Sequence, residues 1–229
     1  MDLGLKDRVA IVTGGSKGLG RAEAEALAAE GAAIVVATAK SVREADQVVR
    51  DLQSRGSRAV SVQADVSQTA DVQRLVETTL KTFGRLDILV NNAGTTGPHL
   101  NKPLMDLPEE LWDFMLGNHL RSAFLCIKYA APHMVKQGWG RIINTSSIHG
   151  RVGDRNVSAH CAAKFGLIGL TQSLARELRE LNITVNAVLP GAVDNKDEAV
   201  LAEPPALPLA AKLVPRQVAR VCVFLASDD

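Results

Sequence analysis

The 229-residue sequence has almost no net charge: 26 Lys and Arg stand against 25 Asp and Glu, a formal net charge of +1. A balance that close gives no long-range pull on nucleic acid or an anionic membrane, and makes a small molecule the expected partner. No apolar run approaches the ~20 residues needed to cross a bilayer, and the opening MDLGLKDRVAIVTGG holds nothing like a secretory signal. A soluble, cytoplasmic protein is expected. Cysteine is scarce: Cys126, Cys161 and Cys222 are odd in number, widely spaced and form no CxxC pair. That argues against a disulfide framework or a zinc site and for buried thiols in a reducing compartment. His99, His119 and His133 have no metal-like spacing with one another, so no metal is expected.

What is present is an alternation. The apolar, β-branched run RVAIVT stops at glycines and gives way to LGRAEAEALAAEG, which reads as strand, turn, helix. The pattern repeats with AAIVVA, AVSVQA, LDILVN, RIINTS and ITVNAV as strands, each followed by a helical stretch, including long ones over roughly 109–137 and 157–180. Six strands alternating with helices predict an α/β fold: one doubly wound parallel sheet of Rossmann type in a single domain, covered on both faces. Ligands of such sheets sit beyond the carboxyl ends of the strands, where strand order reverses. Residues 192–214 interrupt the pattern, since EPPALP suits neither a regular helix nor a central strand, and a mobile lid loop is expected there.

The turn TGGSKGLG follows the first strand and opens the first helix. Gly14 permits the tight turn, Gly18 lets backbone approach a pyrophosphate, and Gly20 lets helix and sheet pack closely, with helix amides aimed at phosphate. The usual acidic partner of a ribose 2′-hydroxyl is missing: the second strand ends VATAKS, with Thr38 and Lys40. Lys17 and Lys40 could both pair with a 2′-phosphate, so NADP(H) is favoured over NAD(H); the plain alternative is that they are solvated surface charges. Asp65 is a candidate to accept from the adenine amine, or a cap for the next helix.

Further strand ends carry NNAG (Asn91 to Gly94), NTSS (Asn144 to Ser147) and the pair Pro190 and Gly191, and HCAAK opens a helix. With TGxxxGxG, this set makes the chain resemble the short-chain dehydrogenase/reductase family over essentially its whole length, most closely the bacterial keto-reductases and small-alcohol dehydrogenases. The resemblance implies an oxidoreductase moving hydride between NADP(H) and a secondary alcohol or ketone, in a homodimer or homotetramer. It implies that Gly14, Ser16, Lys17, Gly18, Leu19, Gly20, Thr38, Lys40, Asp65, Val66, Asn92, Ala93, Gly94, Lys164, Pro190, Gly191 and Val193 line the cofactor. It also implies catalytic roles: Asn118 in LGNHL to hold a relay water, Ser147 to bond the substrate oxygen, and Lys164 to grip the nicotinamide ribose.

Where the family has tyrosine, this chain has His160. The family's YxxxK reads HxxxK, and spacing i, i+4 keeps His160 and Lys164 on one helical face. The only tyrosine, Tyr129, stands eleven residues after Asn118, about 16 Å along the predicted helix, too far to substitute, and is expected in the core. A lysine that would favour phenolate disfavours imidazolium: two charges ~5 Å apart at an effective dielectric of ~20 repel by about 3 kcal/mol, roughly 2 pK units. His160 is therefore expected to be neutral at pH 7, a poor proton donor but a usable acceptor, favouring alcohol oxidation over carbonyl reduction. The alternative is a site that has lost its chemistry, leaving an NADP(H)-binding sensor or assembly partner. His149 is expected as an exposed loop residue at the pocket mouth, with substrate contact or replacement of the missing acid as its other readings. Asn195 occupies the position of a family threonine that contacts the nicotinamide carboxamide. Family members continue beyond FLASDD into a seventh strand, so the sixth is expected to be a sheet edge here.

Overall fold

A computed structural model of the chain describes residues 2–95, 97, 100–194 and 213–228. The six expected strands form one parallel sheet: β1 (Val9–Thr13), β2 (Ala33–Thr38), β3 (Ala59–Gln63), β4 (Ile88–Asn91), β5 (Gly140–Thr145) and β6 (Ile183–Val188), in the order β3-β2-β1-β4-β5-β6. Every residue of β1, β2, β4 and β5 is buried, as a sheet covered on both faces requires. Side chains alternate between two cores. Ala10, Val12, Ile34, Val36 and Ile143 face Leu27 of α1 (Gly18–Ala29), Val48 of α2 (Val42–Ser54) and Cys222 of α7 (Pro215–Ala226). Ile11, Val35 and Ile142 face Leu75 of α3 (Thr69–Phe83), Met134 of α5 (Ser122–Gln137) and Leu178 of α6 (Ser158–Leu178).

The long helix expected over 109–137 is divided. An eight-residue α4 (Glu109–Leu116) enters a π-helical turn, Gly117–Arg121, before α5 resumes the regular pitch. The wider turn sets Asn118 and His119 against the loop after β4, where each bonds the Thr95 backbone, and the Ser122 hydroxyl donates to the Asn118 carbonyl at 2.7 Å. Tyr129 packs half-buried against the second core, as expected. Of the expected lid, residues 195–212 lie outside the described residues, Asn195 among them. Its two ends meet: Val193 and Leu213 form a parallel bridge, closed by the Asp194 amide donating to the Leu213 carbonyl at 2.8 Å. Within the described residues β6 is an edge of the sheet.

Candidate active site

Because the chain runs outward from β1 to β3 and then returns to β4, the reversal of strand order lies between β1 and β4. Thr13 binds the two ends together. Its hydroxyl donates to the Val90 carbonyl at 3.2 Å and accepts from the amides of Asn92 and Ala93, both at 3.0 Å. The Asn92 side-chain amide donates to the Thr13 carbonyl at 3.1 Å and to that of Gly14 at 3.4 Å. Gly14 takes φ +66°, and a Cβ there would stand 3.1 Å from Ala93. A Cβ on Gly20 would collide with the Gly14 carbonyl and the Asn92 amide. The turn is thus built to a closeness only glycine allows.

This arrangement fits an anionic ligand. No side chain caps the first turn of α1 and no acidic residue stands in it, so its amides and dipole remain available to a phosphate. Ser16 and Thr38, both buried, approach through their hydroxyls at 3.4 Å. Lys17 and Lys40 are exposed on either side. Asp65 turns its carboxylate back on the chain, accepting from the Ser67 amide at 3.0 Å and hydroxyl at 2.7 Å just ahead of α3. Val66 packs its side chain into the second core, while Leu19 and Val193 pack against the first. Pro190 accepts at 3.0 Å from the Ile148 amide, which brings the Pro190–Gly191 loop beside the turn that carries Ser147.

The second half of the site lies beyond β5. Ser147 precedes a short 3₁₀ turn, Ile148–Gly150, and its hydroxyl oxygen accepts from the His149 amide at 3.2 Å. The Ser147 proton is left free to point at a ligand oxygen. Lys164, buried on α6, donates from Nζ to the Thr145 carbonyl at 2.7 Å, and burial lowers its pKa from 10.5 to about 8. One helical turn earlier on α6 stands His160, half-buried, with its pKa lowered to about 4. The expected neutrality of His160 is thus present, with a corrected cause: loss of water comes first, then Lys164, then His149.

Sequence reasoning missed what surrounds that imidazole. The His119 ring meets His160 edge to face with centroids 5.1 Å apart, and the His149 ring does so from another side at 5.7 Å. His119 is buried, its Nε2 lies 3.0 Å from the Thr95 carbonyl, and its Nδ1 has no partner among the described residues. The carbonyl can only accept, so Nε2 carries the proton. Burial and Lys164 push the His119 pKa to about 3. Room for this ring comes from Gly94, where a Cβ would collide with the imidazole. Gly94, expected at the cofactor, stands here against the His119 ring. His149 is no free loop residue: half-buried, it also places Nε2 3.7 Å from the Asp154 carboxylate. Asn118 lies alongside, its side-chain oxygen accepting from the Thr95 amide at 2.8 Å. Among the described residues no set of ligating side chains is arranged to hold a metal ion. The available signals were slight: His119 adjoins Asn118, and His149 follows Ser147 by two.

A profile of the family described as short chain dehydrogenase matches residues 8–203. The chain belongs to the short-chain dehydrogenase family. A 3-oxoacyl-[acyl-carrier-protein] reductase of Synechocystis sp. is 42% identical over 227 residues, covering 98% of this chain and 91% of the relative. A reductase of the same name from Staphylococcus aureus is 40% identical, with 96% and 90% covered. Among solved structures, an acetoin dehydrogenase from Salmonella typhimurium superposes with a TM-score of 0.88 at 37% identity, covering 96% of this short-chain dehydrogenase and 89% of that chain. The family is one of oxidoreductases, and its parallel sheet with helices on both faces is the fold described above.

Proposed function

We propose that the protein is an NADP(H)-dependent oxidoreductase that moves hydride between the nicotinamide and a secondary alcohol or ketone, biased toward alcohol oxidation. The observation that carries this reading is the pairing of an uncapped α1 and its glycine turn with Ser147, His160 and Lys164 at the neighbouring strand ends. The turn and the α1 amides would hold the pyrophosphate, Lys17 and Lys40 the 2′-phosphate, and Lys164 the nicotinamide ribose. The nicotinamide supplies the hydride donor or acceptor; the protein supplies position and the proton. Ser147 donates its hydroxyl proton to the substrate oxygen, His160 accepts the alcohol proton as a neutral base, and Asn118 holds the loop after β4 against the site. Names of the relatives support a carbonyl or alcohol substrate, since one set reduces a 3-oxoacyl group and another protein handles acetoin.

The alternative, a nucleotide-binding relative without turnover, draws on the replaced tyrosine. Fluorescence titration with NADPH and NADH, with turnover of a ketone and alcohol panel by the natural protein and by His160→Tyr, separates the two. The expected result is tighter NADPH binding and measurable oxidation by the natural protein, with reduction gained in the tyrosine variant. Tight NADPH binding with turnover only in the variant would establish the alternative.

A further inference from the structure

A base whose pKa has fallen to about 4 can take a substrate proton only fleetingly, so the proton needs a second place to go. Three groups face His160. Lys164, one turn along the same helix, is an ammonium below its pKa of about 8 and has no lone pair to accept a proton. His119, on the π-helical turn, is buried and has its N–H held by Thr95, and a positive charge there would be enclosed without a counter-ion. His149, on the turn after Ser147, differs from both: its ring packs edge to face with that of His160, it reaches solvent, and its Nε2 lies 3.7 Å from the Asp154 carboxylate. Its backbone amide also orients Ser147, so one residue touches both the group that holds the substrate oxygen and the group that takes its proton.

We propose that His149, paired with Asp154, is the proton outlet of the site. In oxidation the substrate O–H bond breaks toward His160 as the C–H hydride leaves to the oxidised nicotinamide, and the O–H electron pair becomes the π bond of the new carbonyl. His160 passes that proton to His149, directly or through one water. The charge there is offset by Asp154 and discharged to solvent. Reduction runs the same path inward: the carbonyl carbon takes hydride from the reduced nicotinamide, its π pair moves to oxygen, and the proton arrives from His149 by way of His160. The assignment rests on the oxidoreductase reading above and gives His149 a catalytic part and Asp154 a positioning one.

The test compares His149→Gln and Asp154→Asn in the natural protein and in the His160→Tyr background, with NADP⁺ affinity measured by fluorescence throughout. His149→Gln is expected to lower kcat for alcohol oxidation about 10²-fold, in the range of a lost proton-transfer group, with NADP⁺ affinity unchanged. Added imidazole buffer should restore much of the loss, which a merely structural residue would not allow. Asp154→Asn should cost less, with Asp154→Glu restoring most of the loss and NADP⁺ affinity unchanged in both. In the His160→Tyr background the effect of His149→Gln should shrink several-fold. The outlet is refuted if His149→Gln oxidises at the natural rate, if imidazole restores nothing, or if the loss is equal in both backgrounds. A natural protein that binds NADP⁺ but oxidises no alcohol at all would overturn the oxidoreductase reading itself, and the outlet with it.

Discussion

The two halves of the site are built in opposite ways. At the β1/β4 end, backbone does the work: Thr13, Asn92 and the glycines fix main-chain groups against one another, and a Cβ at Gly20 or Gly14 would push strand and helix apart. At the β5 end, side chains do the work, and their behaviour depends on what buries them. Three imidazoles, His119, His149 and His160, gather there, and two of them are kept neutral chiefly by loss of water. A backbone-built half tolerates no change of shape, while a half built of side chains can exchange its chemistry and keep its geometry.

The difference can be tested at each end. The largest effect is expected for Gly20→Ala, whose methyl would enter the space of the Gly14 carbonyl and the Asn92 amide; overpacking of that kind should weaken NADPH binding by about 30-fold or more in a fluorescence titration. His160→Tyr, at the other end, should leave that affinity within a few-fold.

Beneath both halves lies Glu23, fully buried on α1, with the Thr145 hydroxyl 3.5 Å from one oxygen and no partner among the described residues for the other. Burial raises its pKa from 4.5 to about 8. The unfolded chain releases this proton near 4.5 and the folded chain holds it to about 8, so the stability Glu23 allows is complete below 4.5 and is lost as pH rises toward 8. Glu23→Gln should therefore gain on the order of 3 kcal/mol at pH 7 in denaturant unfolding, and little at pH 4. On the acid side the sign reverses: His119 and His160, neutral in the fold, destabilise it as pH falls below 6.5, where the unfolded imidazoles take protons.

The smallest effect is expected at the seam between the halves. Gly94→Ala would put a methyl where the His119 ring lies, and should displace that ring and raise the His160 pKa measurably with a modest loss of stability, about 1–3 kcal/mol. NMR titration with thermal unfolding would show it.

Strands, helices and the glycine turn were legible in the sequence because each is specified locally, by apolar runs, helix formers and glycines at fixed offsets. The π-helical turn was not: residues 109–137 read as one helical stretch, and the wider turn lies where Asn118 and His119 pack against the loop after β4. Neutrality of His160 was foreseen from Lys164 alone, because a charge four residues away can be read from spacing whereas burial cannot. Glu23 looked like one more solvated glutamate of an Ala- and Glu-rich helix, although it stands four residues before Leu27, on the face that packs into the core.

The most direct test of the account is a ¹⁵N NMR titration of the His160 ring in the free protein from pH 5 to 8. The account predicts the neutral imidazole pattern throughout, consistent with a pKa near 4. A midpoint at or above the ordinary imidazole value of about 6.5 would contradict it, and would make His160 a proton donor suited to reduction.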